Sequence, residues 1–98
     1  MSEYEQELAF EASVSEAFAE AEEILISKHQ DYGPKNISNS PGGPELGLLV
    51  RLSDKLARLE HLRSSGAEPN HEAIRDSWLD IANYGIIGLL VVDGKWPK

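Results

Sequence analysis

The stretch from Asp76 to Val92, DSWLDIANYGIIGLLVV, constrains the fold more than any other part of the chain. Beyond its opening residues, Asn83 is its only strongly polar side chain, and a helix so apolar on all sides is typical of a central, buried position. Asp76, Asp80 and Asn83 fall within a strip about 60° wide on this helix and form one polar line. The apolar run is too short for a membrane span, which needs ~20 apolar residues. One segment is therefore predicted to carry both the core and a polar site.

Helical periodicity predicts three main helices, at about residues 3–29, 45–64 and 70–92. The apolar positions of the first helix are spaced four, three, four and three apart, at Phe10, Val14, Ala17, Ala21 and Ile24. The apolar face of the second helix consists of Leu49, Leu52, Leu56, Leu59 and Leu62. Gly66 ends the second helix, and Pro69 or Asn70 opens the third. No strand alternation is present, so the fold class is all-α, with residues 1–98 forming one domain.

The first helix also carries glutamates, at Glu16, Glu20 and Glu23, that align at helical spacing opposite its apolar face. Two interpretations are open, a solvated acidic face and a metal-binding stripe, and amphipathic helices favour the first.

A long loop is predicted between the first two helices, because Gly and Pro are concentrated in DYGPKNISNSPGGPE. Loops of this length are usually functional or mobile. Asp31 and Tyr32 stand at its start, Lys28 lies one turn earlier, and Asn36 lies within it. Together they offer a stacking ring, a phosphate partner and an amide that reads a base or ribose. The alternative, that Asp31 forms a turn and Tyr32 is a core ring, is equally open.

The second helix groups Arg51, Asp54, Lys55 and Arg58 within about 100° of its surface. This cluster takes three of the nine basic residues of the chain and sets them around one carboxylate. Surface ion pairs of this kind contribute roughly 0 to 1 kcal/mol each. The other interpretation is a phosphate-binding cluster beside a metal ion.

Composition limits the classes of partner. A net charge of −8 argues against a general nucleic-acid binder, since no basic field attracts phosphate backbones. An anionic small molecule would need a local basic cluster or a divalent cation. The absence of cysteine and of a signal peptide at MSEYEQEL leads us to expect a cytoplasmic protein.

Self-association is expected, because a chain of 98 residues buries only about 60 to 65% of its unfolded surface. Gly85 and Gly88 lower helix propensity by roughly 1 kcal/mol each relative to Ala, which is tolerable where a neighbouring backbone comes close. We expect a homo-oligomer, a dimer or a tetramer, built on the third helix.

Asp76 and Asp80, one turn apart, are suited to half of a Mg²⁺ site, because this cation prefers oxygen ligands and keeps waters and substrate phosphates at its remaining positions. Asp54 on the facing helix is the natural third ligand. In the alternative, Asp76 stabilises the helix N-terminus and Asp80 pairs with Arg51 or Arg58.

Three segments in this order, KHQDYG at 28–33, RLSDKLARLEHL at 51–62 and DSWLDIANYGIIGLL at 76–90, resemble a small nucleotide-modification-associated family of phages and bacteria. That family is similar to the all-α, MazG-like nucleoside triphosphate pyrophosphohydrolases. The matching positions are Lys28, Asp31, Tyr32, Gly33, Arg51, Asp54, Lys55, Glu60, Asp76, Asp80, Asn83 and Tyr84. The resemblance implies a helical oligomer, cytoplasmic in a bacterial host if phage-encoded, that binds a nucleotide. It also implies Mg²⁺-dependent hydrolysis to a monophosphate and pyrophosphate.

On this hypothesis Asp54, Asp76 and Asp80 bind Mg²⁺, and Glu60 serves as the base. Arg51, Lys55 and Arg58 neutralise the leaving pyrophosphate. Base, sugar and phosphate contacts come from Lys28, Asp31, Tyr32, Asn36, Asn83 and Tyr84.

Two further hypotheses remain open, because MazG enzymes carry adjacent glutamates where this chain has Arg51, Asp54 and Lys55. The first is a nucleotide-binding sponge that sequesters a nucleotide, or a cyclic or ADP-ribose-type immune signal, without hydrolysis. It needs the basic cluster and Tyr32 but no metal. The second is a helical assembly factor in which the polar cluster fixes helix register.

Overall fold

A computed structural model describes residues 1–66 and 70–98 and contains four helices. They are α1 (Glu3–Tyr32), α2 (Lys35–Ser38), α3 (Pro44–Ser64) and α4 (His71–Val92). The described residues include no strand, and the predicted all-α fold with three main helices is confirmed. Helix α1 ends at Tyr32 rather than near residue 29, and the predicted loop contains the single turn α2.

Local capping explains where the long helices begin. Ser2 and Glu5 form a capping box: the Glu5 backbone N–H donates to Ser2 Oγ over 3.1 Å, and the Ser2 backbone N–H donates to the Glu5 carboxylate. Pro44 occupies the first turn of α3. Asn70 caps α4 by accepting from the Ala73 backbone N–H over 3.0 Å. The alternative start at Pro69 lies outside the described residues.

The core is small and draws on all four helices. Ile37 of α2, Leu48 of α3 and Ile87 of α4 are buried, and Leu25 of α1 packs against them with Trp96 from the C-terminal segment. Burial of Ile37 explains why part of the Gly- and Pro-rich segment is helical: apolar burial is worth about 25 cal/mol per Å², and helical ordering of α2 allows it. Trp96 packs back on the core of its own chain.

Helices α1 and α4 are joined by a buried amide. Asn83 is 7% exposed, and its Nδ2 donates to the Ala21 backbone carbonyl over 3.0 Å. The amide satisfies a carbonyl of the other helix, which fixes the rotation of α4 against α1. Ser77 is also buried, and its hydroxyl donates a hydrogen bond to the Ala73 backbone carbonyl of the same helix.

The protomer leaves much of two helices uncovered. Helix α1 contains no buried residue, and Phe10 and Phe18 are exposed. Helix α4, predicted to be buried on most sides, buries only Ser77, Asn83 and Ile87. The other described helices of the chain are too few to surround α4. No helix of the described residues has the length and apolar character needed to cross a bilayer.

Candidate functional site

A pocket of about 490 Å³ lies where the second half of α1, α2, α3 and α4 meet. Its polar lining residues are Lys28, Asn36, Arg51, Lys55, Asp80 and Asn83. Its aromatic lining residues are His29, Tyr32, Tyr84 and Trp96. The volume is in the range of cavities that hold small-molecule ligands, about 300–1,000 Å³. Eight of the residues predicted as site residues from the sequence therefore line one cavity.

Asp80 is the centre of the polar lining. Its Oδ1 lies 3.0 Å from Lys28 Nζ, and its Oδ2 lies 2.9 Å from Lys55 Nζ. The carboxylate side chain is 15% exposed and that of Lys55 is 24% exposed, while Lys28 is open to solvent. Each carboxylate oxygen thus holds one ammonium group, and the three residues come from three different helices.

The ionisation of this cluster follows from its contacts. Burial by itself raises the pKa of Asp80, but the hydrogen bonds from Lys55 and Lys28 outweigh it and hold that pKa below its ordinary value. The hydrogen bond to Asp80 raises the pKa of Lys28, against the opposing effect of burial, and the nearby Tyr84 and Tyr32 add to the rise. At neutral pH both partners are therefore charged.

Arg51 adds a third cation and fastens α2 to α3. Its Nη2 donates to the Asn36 backbone carbonyl over 2.9 Å. This bond uses one of the five N–H donors of a guanidinium group. With Lys28 and Lys55 it brings three positive charges to the pocket against the one negative charge of Asp80, a formal local charge of +2. The chain as a whole has a formal net charge of −8, so the charge of the pocket is opposite in sign to that of the whole protein.

The pocket also has an aromatic lining. The rings of His29 and Trp96 meet edge to face, with centroids 5.1 Å apart and planes at 75°. Trp96 Nε1 donates to the Pro34 backbone carbonyl over 3.1 Å, which fixes the C-terminal segment against the turn before α2. His29 Nδ1 is buried and has no hydrogen-bond partner among the described residues. It is therefore a polar atom that a ligand in the pocket can satisfy.

Five of the predicted site residues do not line the pocket, namely Asp31, Asp54, Arg58, Glu60 and Asp76, and all five are exposed. Helix geometry explains why some of the predicted residues of α3 line the pocket and others do not. Side chains four residues apart lie about 40° from one another, so Arg51 and Lys55 share a face, whereas Asp54 is turned about 60° away from Arg51. Asp76 lies one turn before Asp80 and points to solvent.

The predicted Mg²⁺ ligands are not assembled. Within residues 1–66 and 70–98, no three His, Asp or Glu side chains are grouped so that they could hold a metal ion. Asp80 lines the pocket with both oxygens engaged by lysines, while Asp54 and Asp76 lie outside it. The side chains present do not fit a carboxylate-bound Mg²⁺ site.

Sequence reasoning missed two of the pocket residues that matter most, His29 and Trp96. His29 follows Lys28 directly and precedes Tyr32 by three residues, so helical spacing with Leu25, Lys28 and Tyr32 was a usable signal. Trp96 follows a turn at the end of the chain, and nothing in its spacing indicates which helix it meets.

Comparison with known protein families, with curated proteins and with solved structures finds no match for this chain. The fold and the pocket define an all-α protein with a cavity lined by cationic and aromatic side chains. The relationship to MazG-like proteins stays a prediction from the quoted segments.

Proposed function

We propose that this protein binds a nucleotide in the pocket where α1, α2, α3 and α4 meet. We further propose that it holds the nucleotide without hydrolysing it. The observation that carries the proposal is the group of three cations, Lys28, Arg51 and Lys55, beside aromatic rings in one cavity of an acidic chain. A phosphorylated ligand with an aromatic base is complementary to both halves of that lining.

The phosphate end of the ligand meets Lys28, Lys55 and Arg51. Asp80 uses one donor of each ammonium group, and an ammonium group has three. The two lysines therefore keep donors for phosphate oxygens while their positions are fixed in advance. Arginine adds a planar donor pair that suits two oxygens of one phosphate. The formal charge of +2 matches a phosphate dianion.

The base end of the ligand meets the rings. Tyr32 is 69% exposed at the end of α1, and stacking on a base would bury one of its faces. Tyr84 lines the pocket and packs against the core. His29 Nδ1 offers a polar contact that is unsatisfied among the described residues, as an acceptor in one tautomer and a donor in the other.

Binding without turnover is the form of the hypothesis that the side chains support best. Hydrolysis to a monophosphate and pyrophosphate, the activity implied by the resemblance, requires Mg²⁺ held by carboxylates. Asp80 instead holds two lysines, and Asp54 and Asp76 lie outside the pocket. The sponge hypothesis needs only the cations and the rings.

The test is a panel of nucleoside mono-, di- and triphosphates, with ribose and deoxyribose and with cyclic forms, incubated with the full chain in EDTA and in Mg²⁺. Thermal shift reports binding, and chromatography after denaturation reports the fate of the ligand. The proposal predicts a shift in EDTA and intact ligand on recovery. Monophosphate and pyrophosphate formed only in Mg²⁺ would instead establish the pyrophosphohydrolase, and no shift with any nucleotide would overturn both.

A further inference from the structure

The protomer exposes more surface than a compact protein of its mass. Its accessible surface is 7427 Å² for 10.8 kDa. The scaling of surface with mass gives about 5,500 Å² for a compact monomer of this size, an excess of roughly 1,900 Å². The radius of gyration, 16.2 Å, is likewise above the value of about 13 Å for a compact chain of this length.

Much of the exposed apolar surface borders a groove between α1 and α4. Among its lining residues are Val14, Phe18 and Ala21 from α1 and Trp78, Leu79 and Ala82 from α4. Phe18 is 67% exposed and Trp78 is 59% exposed, large values for side chains that usually stabilise an interior. The groove shares no lining residue with the nucleotide pocket.

The apolar side chains continue beyond the groove on both helices. On α4, Trp78, Ala82, Gly85, Leu89 and Val92 are spaced four, three, four and three apart and are all exposed. On α1, Phe10, Val14, Ala17 and Ala21 have the same spacing. Such a seam is the pattern with which one helix packs along another.

Helix α1 also needs a partner to explain its length. It spans 30 residues with no buried side chain. Most helical stability in proteins comes from tertiary packing of an apolar face, and an isolated helix is marginal in water. The N-terminal half of α1 therefore lacks, within the protomer, the packing that ordinarily orders a helix.

We infer that a second copy of this chain covers the groove and the two seams, with the N-terminal half of α1 of each protomer lying on α4 of the other. The exposed surface is large enough for such a contact. A stable interface buries about 800 Å² per partner, and the excess accessible surface of the chain is larger than that. In a symmetric dimer both chains contribute the same surface patch. The apolar seams of α1 and α4 have the same residue spacing, so the α1 seam of one chain can pack on the α4 seam of the other.

The charges inside the groove are balanced. The ionised residues of the groove, Glu20 and Arg75, neutralise each other through contacts of 2.8 and 3.1 Å. The hydrogen bond to Arg75 holds the pKa of Glu20 below its ordinary value, so this neutral pair persists at physiological pH.

Light scattering on the full chain after size exclusion tests the inference. We expect twice the chain mass of 10.8 kDa at micromolar concentration. Phe18→Glu and Trp78→Glu should each lower the mass to that of one chain. The matched control is Leu49→Glu, since Leu49 is 62% exposed on α3 and outside the groove; it should keep the wild-type mass. A wild-type chain that is monomeric up to about 100 µM, or groove variants that keep the oligomer, would overturn the inference.

A fluorescence measurement covers the case in which a groove variant fails to fold. In a Trp96→Phe background Trp78 is the only tryptophan, because the chain has two. A covering copy should shield Trp78 from acrylamide at high protein concentration and release it on dilution. Quenching that is strong and independent of concentration would contradict a second copy. The light-scattering variants change no residue of the nucleotide pocket, so a failure of that test leaves the proposed function standing.

Discussion

Lys55 of α3 and Asp80 of α4 form an ion pair of 2.9 Å in the lining of the pocket, and the other oxygen of Asp80 pairs with Lys28 of α1. One carboxylate thereby fixes cations from two other helices. The arrangement differs from the metal site that the acidic pattern of α4 suggested. Under the proposed function, Asp80 positions the two lysines that contact the ligand.

Replacing Arg51 by alanine should weaken nucleotide binding. A charge-assisted hydrogen bond contributes about 1.5–3 kcal/mol, which corresponds to a loss of roughly 10–150-fold in affinity. Calorimetric titration with the nucleotide that gives the largest thermal shift measures it. Arg63→Ala is the matched control, because Arg63 is exposed near the end of the same helix and outside the pocket. Equal affinities of the two variants would remove Arg51 from the site.

Asp80→Asn should destabilise the fold while leaving anion binding in place. The substitution leaves Lys28 and Lys55 without their shared partner, and we expect a loss of roughly 1–3 kcal/mol in unfolding free energy, between the values for exposed and buried pairs. Urea denaturation checks it, with the exposed Asp54→Asn as control within about 0.5 kcal/mol of wild type. Two effects on ligand affinity oppose one another. The local formal charge rises from +2 to +3, which favours an anion, while the lysines lose the carboxylate that positions them. Ligand affinity should therefore change by less than about tenfold, which corresponds to about 1.4 kcal/mol.

The pH dependence of the same pair has a defined sign. The pKa of Asp80 is lowered from 3.8, so its contribution to stability is present above that value and is lost as pH falls through the lowered pKa. The pKa of Lys28 is raised from 10.5, so its contribution is present below that value and is lost as pH rises through the raised pKa. The difference in unfolding free energy between wild type and Asp80→Asn should therefore be flat from about pH 5 to pH 9 and shrink in strong acid and strong base. A difference that varies across neutral pH would contradict this assignment.

Tyr32→Ala should affect the ligand and not the fold. Tyr32 is 69% exposed, so its removal leaves no cavity, and stability should stay within about 0.5 kcal/mol of wild type. Stacking on a base contributes about 1–3 kcal/mol, so affinity should fall roughly 5–150-fold. Tyr4→Ala, at 73% exposure near the start of α1, is the control. Tyr32→Phe should bind as wild type, which separates the ring from its hydroxyl.

The composition of the loop and the family resemblance contributed to the eight predicted residues that line the pocket. Helical periodicity alone was sufficient to predict the three long helices. It places Arg51 and Lys55 on one face of α3 and Asp80 and Asn83 on one face of α4, and such relations within a helix follow from the sequence alone. Lys28 was singled out because it lies one turn before Asp31 and belongs to the first of the three segments that resemble the family.

The rest depends on contacts between helices, which periodicity does not contain. Asp54 is close in sequence to Lys55, yet the rotation of α3 against α4 turns it to solvent. Whether Asp80 binds a metal or two lysines depends on the distance between α1, α3 and α4. Helix α2 is stabilised by the burial of Ile37, and Trp96 packs against the ring of His29. Both contacts depend on how distant parts of the chain pack together, which periodicity does not predict.

The most direct test is a calorimetric titration of the wild-type chain with the best nucleotide of the panel, in EDTA and again in excess Mg²⁺. If Lys28, Lys55 and Arg51 hold the phosphate, the affinity in EDTA should be at least equal to that in Mg²⁺, because no bound cation is needed. Affinity that appears only in Mg²⁺ would contradict the account and return Asp80 to the role of a metal ligand.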